Sequence, residues 1–462
     1  MNINQNVFIQ KTSLKKYNNS RLFNPSEEFK EALDLDIKSD PKVYREVRNL
    51  LIHVGLDKRH QGTSKWSPFT DIIKPGYKVI IKPNLVFHKN ESGEGEDCLI
   101  TNFAVIRPII DYVLKALDGT GEVIVGDAPV QGCDFDKVTA LFGLKDAIKA
   151  YNTVGYNVKL MDFRKNQNPK LKCTIIDIGK NSSLCEVDEF EKKYAITNYD
   201  LREMHKHHSA GKHEYMIPND ILDADVIINI PKPKAHRKAG MTACLKNFVG
   251  ANSKKEYLPH HRNGNVKTGG DEYPEQSIVK SMESFLKNYS YTKNPIIALT
   301  RKGLRLEMKM TKKNRFLEGS WYGNDTIWRT VLDINKVILY ADKNGKLRKT
   351  KQRTIFNIAD MIVAGEKEGP LLPSRKVTGI LIAGFNQLNV DRTICQLMGF
   401  DPLKIKYIAN GYYLDRYKLS ENERYIVYDQ NSVVKEINQY NQHFKPTDGW
   451  VDYLMNAKTN EE

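Results

Sequence analysis

The chain has 462 residues, six cysteines and a formal net charge of +15. That length corresponds to a soft prior of about three domains, and one extended α/β body with appendages is equally allowed. No run of about eighteen apolar residues occurs, and the opening segment lacks the apolar core of a signal peptide, so a soluble, cytoplasmic protein with no membrane partner is expected.

In chain order, the first 70 residues read as an irregular N-terminal extension with helical pieces. "NPSEEFKEAL" has acids after a Ser, as a helix start does, and "PKVYREVRNLLIHVG" has helical apolar spacing and a glycine stop. From residue 77 short β-branched runs alternate with amphipathic helices. "YKVIIKPN" is a strand, "NFAVIRPIIDYVLKAL" a helix, "GEVIVGDAP" a strand, "FDKVTALFGLKDAIKAY" a helix and "NVKLMDF" a strand. "CTIIDIG" and "ADVIINIPK" add strands, and "GMTACLKNFVG" adds a helix over 240–250. Further on, "TIWRTVLDINKVILYAD" is helical, "KVTGILIAGF" a strand, "VDRTICQLMGFD" a helix and "RYIVYD" a strand. Apolar strands separated by helices predict an α/β fold, a largely parallel sheet flanked by helices. The expected organisation is an extension over 1–70, an α/β core over 71–300 and a looser C-terminal α/β part over 301–462.

Ligands of open parallel sheets bind beyond the carboxyl ends of the strands. Four predicted strands end in polar chemistry: Lys82 and Asn84; Asp127; Asp162 and Arg164; Lys232, Lys234 and His236. Singly, each has a plainer explanation, since Asn84 or Asp127 can cap a helix and Asp162 with Arg164 can be a surface pair. In "PKPKAHRKAGMTACLKNFVG" the predicted helix start at Gly240, Met241 and Thr242 offers free N–H groups to an anion. Lys246 and Asn247 add a charge and an amide, and Thr242, Lys246 and Gly250 recur every four residues on one face. The plainer account is a solvated basic loop before a packed helix.

The remaining acid–base or metal-ligand candidates are His260 and His261 of "LPHHR", Glu366, Glu368 and Asp391. One His of the pair is expected to face the site and the other to turn away. The histidines of "MHKHH" (His205, His207, His208) read as a solvent-facing polar loop, and Asp391 as a helix cap in competition with catalysis. His and carboxylate donors suit a divalent metal, but no HExxH-like spacing or motif specifies which metal, if any, or an oligomeric state. Cys98, Cys133, Cys173, Cys185, Cys244 and Cys395 show no CxxC spacing, so no iron–sulfur cluster is expected.

The ordered series "VIIKPNLV", "EVIVGDAPV", "ADVIINIPKPKAH" with "GMTACLKNFVGA", and "LPHHR" resembles the family called domain of unknown function 362. "WRTVLDINKVILYAD", "IADMIVAGEKEGP" and "GFNQLNVDRTICQLMGFDP" are similar to its tail, so the resemblance spans most of 75–410. It implies the α/β shape and no settled activity; some relatives carry an appended ferredoxin-like domain that this chain lacks. The function expected from the residues is an enzyme on a small anionic substrate, phosphorylated or carboxylated, with or without a metal. Lys82, Asn84, Lys234, Thr242, Lys246 and Asn247 would bind the substrate, and Asp127, His236, His260 and Asp391 would supply chemistry. The alternatives are a nucleic-acid or polyanion binder, for which the charge is too evenly spread and no zinc-finger, RNP or helix-turn-helix pattern is present, and a non-catalytic assembly protein.

Overall fold

The computed structural model describes residues 5–455 except 288, 290, 291, 293, 311–315 and 431. Its centre is an 11-stranded sheet. In chain order the strands are β1 (Val7–Lys11), β2 (Lys78–Pro83), β3 (Glu122–Asp127), β4 (Val158–Asp162) and β5 (Val226–Ile230). There follow β6 (Lys234–His236), β7 (Gly240–Thr242), β8 (Thr354–Glu366), β9 (Ser374–Gly384), β10 (Val427–Asp429) and β11 (Ser432–Val433). The spatial order is β11-β10-β1-β9-β8-β5-β2-β3-β4, with the hairpin β6-β7 branching from β8.

The run β8-β5-β2-β3-β4 is parallel throughout, as the alternating pattern predicts. Beyond it β9 is antiparallel to both β8 and β1. Successive residues of the central strands point to opposite faces. Val79, Ile81, Val123, Val125, Val226 and Ile228 therefore join one core, beneath α1 (Pro41–Val54), α2 (Phe103–Leu117) and α3 (Leu144–Thr153). Ile80, Ile124 and Ile227 join the other, beneath α4 (Cys244–Asn247), α5 (Ile327–Tyr340) and α6 (Gln387–Leu397). Strands buried on both faces need continuous apolar sequence, which "KVII", "EVIV" and "VIINI" supply.

Two local expectations are corrected. "NPSEEFKEAL" makes only a 3₁₀ turn, Pro25–Glu27, because Phe29 and Glu31 both point inward, two residues apart, and no helix face can do that. Phe29 stacks on Tyr44 and Glu31 pairs with Arg48. The helix expected from Gly240 begins only at Cys244, because Gly240–Thr242 pairs with Lys234–His236 as a hairpin. Gly240 turns that hairpin at φ 80°, in the left-handed region open to glycine. "CTIIDIG" forms a strand, Cys173–Asp177, but in a separate antiparallel sheet with Lys212–Pro218 and His208–Ser209. Among the described residues no helix is long and apolar enough to cross a membrane.

Candidate active site

The carboxyl ends of β2 and β3 open into a cavity of about 470 Å³. Asn84 enters it from β2, Asp127 from β3, Lys234 and His236 from β6, Thr242 from β7, and Lys246 with Asn247 from α4. His260 lines it as well, as do three residues not singled out from sequence: Lys238, Lys255 and Glu318. Lys238 lies within the quoted basic stretch, whereas nothing in the sequence around Glu318 signals a site.

The acidic side chains of the cavity are already committed. Asp127 Oδ1 accepts from Lys82 Nζ at 2.7 Å and from Ala128 N at 2.9 Å, while Oδ2 accepts from Leu85 N at 2.7 Å. Lys82 itself does not line the cavity; it is buried against Asp127, and burial pulls its amine below the ordinary value. Gly250 permits this close approach, since a Cβ there would stand 2.1 Å from Asp127 Oδ1. Glu318 binds Arg305 at 2.7 Å. Burial acts to raise the Glu318 carboxyl, but Lys238, Lys287 and Arg305 outweigh it and hold it at about 2.

The amines are not neutralised in the same way. Lys234 Nζ donates to Asn84 Oδ1 at 2.8 Å and to the Leu99 carbonyl, and Lys255 Nζ donates to the Ala128 carbonyl at 2.7 Å. Lys246 has no hydrogen-bond or ion-pair partner among the described residues, although it is 8% exposed. Burial lowers all of them, assisted by neighbouring cations: Lys234 and Lys246 to about 7, Lys238 and Lys255 to about 8. In the same cavity, the Thr242 hydroxyl is buried without a hydrogen-bond partner. A group with acceptor oxygens would satisfy both it and Lys246.

Two histidines face the cavity as opposite tautomers. His236 Nδ1 accepts from the backbone N–H groups of Lys238 at 3.0 Å and Ala239 at 3.2 Å, so its proton is on Nε2. His260 Nδ1 lies 2.6 Å from the Leu258 carbonyl and must donate to it, so its Nε2 carries the lone pair. Burial and the surrounding cations hold both rings well below the usual histidine range, as neutral imidazoles. One is a donor and the other an acceptor.

Amide side chains fix this geometry from below. Asn84 Nδ2 donates to Asn247 Oδ1 at 3.1 Å, Asn247 Nδ2 donates to Asn229 Oδ1 at 2.8 Å, and Asn229 Nδ2 donates to Asn357 Oδ1 at 2.9 Å.

Other sequence candidates lie elsewhere. Asp391 accepts from Cys244 N at 2.6 Å and Leu245 N at 3.0 Å, closing the start of α4. The expected anion seat at that helix start is therefore occupied by the protein's own carboxylate. Lys232 is buried in an ion pair with Asp360 at 2.7 Å. His261 turns away to Lys287 Nζ at 3.0 Å. Glu366 and Glu368 accept from the backbone of Lys445 and Asp448, outside the cavity. Arg164 is buried, not a surface residue; it pairs with Asp162 at 2.6 Å and donates to the carbonyls of Val130, Gln131 and Cys133, bracing a cavity wall. His208 is buried as well, contrary to the solvent-facing reading of its cluster.

The model of a family described as a domain of unknown function, DUF362, matches residues 79–188 and 172–396. No curated protein matches the chain. Among solved structures, the lactate racemase apoprotein from Thermoanaerobacterium thermosaccharolyticum is similar at 13% identity and a TM-score of 0.31. The match covers 75% of this chain and 54% of that one, so the chain spans about half its length, a likeness too distant to carry chemistry across.

Proposed function

The chain belongs to the DUF362 family, which is defined by sequence and not by an activity, and from its cavity we propose an enzyme that binds a small phosphorylated or carboxylated substrate and moves a proton on it. One observation carries this reading: four amines, the buried Lys234, Lys246 and Lys255 and the half-buried Lys238, converge on one cavity whose two carboxylates are already paired. Buried charges demand compensation, and here an anionic ligand would supply it. Lys246 and the Thr242 hydroxyl are the groups with bonds left to give. Charge-assisted bonds of this kind contribute roughly 1.5–3 kcal/mol each.

In this reading the His236 Nε2–H donates to substrate oxygen and the His260 Nε2 lone pair accepts the proton. Asp127, with three donors on it, acts as a strut for Lys82 and the β2–α2 connection instead of a base. The enclosed position of the amines favours a small anion over a long polyanion, which would need an open charged face.

The test is a melting-shift screen of inorganic phosphate, phosphate esters and carboxylates, followed by titration of any stabilising anion. Lys246→Ala is expected to weaken its binding by about tenfold or more, the equivalent of 1.4 kcal/mol, with the fold intact. Equal binding by wild type and Lys246→Ala would refute the assignment.

A further inference from the structure

Outside the cavity lining, Cys185, Asp188 and His213 bring a thiol, a carboxylate oxygen and an imidazole nitrogen within 4.8 Å of one another. Cys185 and Asp188 sit three apart in the segment Ser183–Lys193, on either side of a kink at Val187. His213 reaches them from the strand Lys212–Pro218 and is fully buried.

The hydrogen bonds around His213 decide which of its nitrogens can act. His208 Nε2 lies 3.0 Å from the Tyr257 carbonyl and must donate to it, leaving the lone pair on His208 Nδ1. His213 Nδ1 lies 3.3 Å from that lone pair and therefore carries its own proton. In the neutral ring the lone pair is then on His213 Nε2, which is buried without a hydrogen-bond donor and stands 2.9 Å from Asp188 Oδ1. Two electron-rich atoms at that distance require a positive centre. A proton would suffice for the two of them; the Cys185 thiol, which donates to the Gly179 carbonyl at 3.3 Å, brings a third donor atom to the same point.

We propose that Cys185, Asp188 and His213 bind one divalent cation of the zinc class, with water in the fourth position. The donor set is the sulfur, nitrogen and oxygen mixture that zinc accepts at roughly 2.0–2.3 Å, and a tetrahedral ion would need only small side-chain shifts to gather it. Cys185 and Asp188 are part-exposed, which leaves a path for the ion and its water. The outer partners are in place: His208 orients the imidazole, and Gly211 N donates to Asp188 Oδ2 at 2.8 Å. The ion would clamp Ser183–Lys193 to the strand beneath it, just ahead of Ile196 and Tyr199, which line the cavity.

The test is titration of chelator-treated full-length protein with cobalt(II), then displacement by zinc(II). One equivalent is expected to bind with a thiolate-to-cobalt charge-transfer band, and zinc is expected to raise the melting temperature. Cys185→Ser should abolish the band, and Asp188→Asn should weaken binding by at least about tenfold; Cys173→Ser, at a part-exposed thiol outside the cluster, should change neither. Both ligand variants replace part-exposed side chains, and circular dichroism reports their folding. Absence of the band in wild type, or its persistence in Cys185→Ser, would overturn the proposal and leave an imidazolium–carboxylate pair. Neither result bears on anion binding in the cavity.

Discussion

At the residue scale, Lys246 concentrates the conflict between folding and binding. An amine that titrates at 10.5 when solvated is brought to about 7 by burial and by Lys255 and Lys238. Between these values the unfolded chain holds a proton that the folded chain has released, so this group's contribution to stability increases as pH rises from about 7 toward 10.5 and is least favourable below about 7. Lys246→Met keeps the aliphatic stem and removes the charge. In buffer without a binding anion it is expected to stabilise the fold by on the order of 1 kcal/mol or more near pH 6, with the gain shrinking by pH 9. Chemical denaturation at the two pH values checks this, and a pH-independent effect would contradict a buried, unpaired ammonium. Anion binding should run the other way. The ligand needs protonated amines, so its affinity should fall above about 7 to 8, by up to about tenfold per pH unit for each proton required.

At the element scale, Asp391 shows how a long-range contact can redefine a motif. Its carboxylate, on α6, accepts the backbone N–H groups that open α4, 147 and 146 residues away in the chain. Asp391→Ala would leave two buried donors unsatisfied, at about 1–3 kcal/mol each. Asp391→Asn keeps an acceptor oxygen and should lose less. Denaturant unfolding of the two variants ranks them, and a loss in Asn as large as in Ala would mean that charge, not the acceptor, matters. The same contact marks the limit of what the sequence carries. "KVII", "EVIV" and "VIINI" announce the parallel strands because burial on both faces leaves a local, continuous apolar signature. The strand ends likewise announce Asn84, Asp127, Lys234 and His236 as neighbours, since topology alone gathers them. The start of α4 does not announce itself: Gly240–Thr242 has helix-compatible spacing, and only pairing with β6 makes it a strand. Glu318 and the opposed tautomers of His236 and His260 are equally silent, because each depends on partners that the fold supplies.

At the scale of the whole molecule, the first strand ties the chain's beginning to its end. Val7–Lys11 carries no helical or glycine punctuation and reads as part of an irregular leader, yet β1 lies within the sheet, antiparallel to β9 and parallel to β10. Val7 and Ile9 enter the core beneath α5 and α6, and Phe8 enters the opposite core against His53 and Tyr428. Burying three such side chains contributes roughly 1.5–3 kcal/mol each. Removing β1 would also leave the facing edge of β9 unpaired over five residues, an invitation to intermolecular pairing. The cavity lies across β8 and β5 from this edge, but the two are joined by the amide series from Asn84 to Asn357, whose Nδ2 donates to the Gly384 carbonyl at 3.0 Å, at the end of β9. A variant lacking residues 1–12 is therefore expected to lose several kcal/mol of stability and to aggregate at concentrations where the full chain stays dispersed. Denaturant titration with light scattering measures both. A truncated protein as stable as the parent and equally dispersed would show that the sheet closes without β1 and that the leader is dispensable.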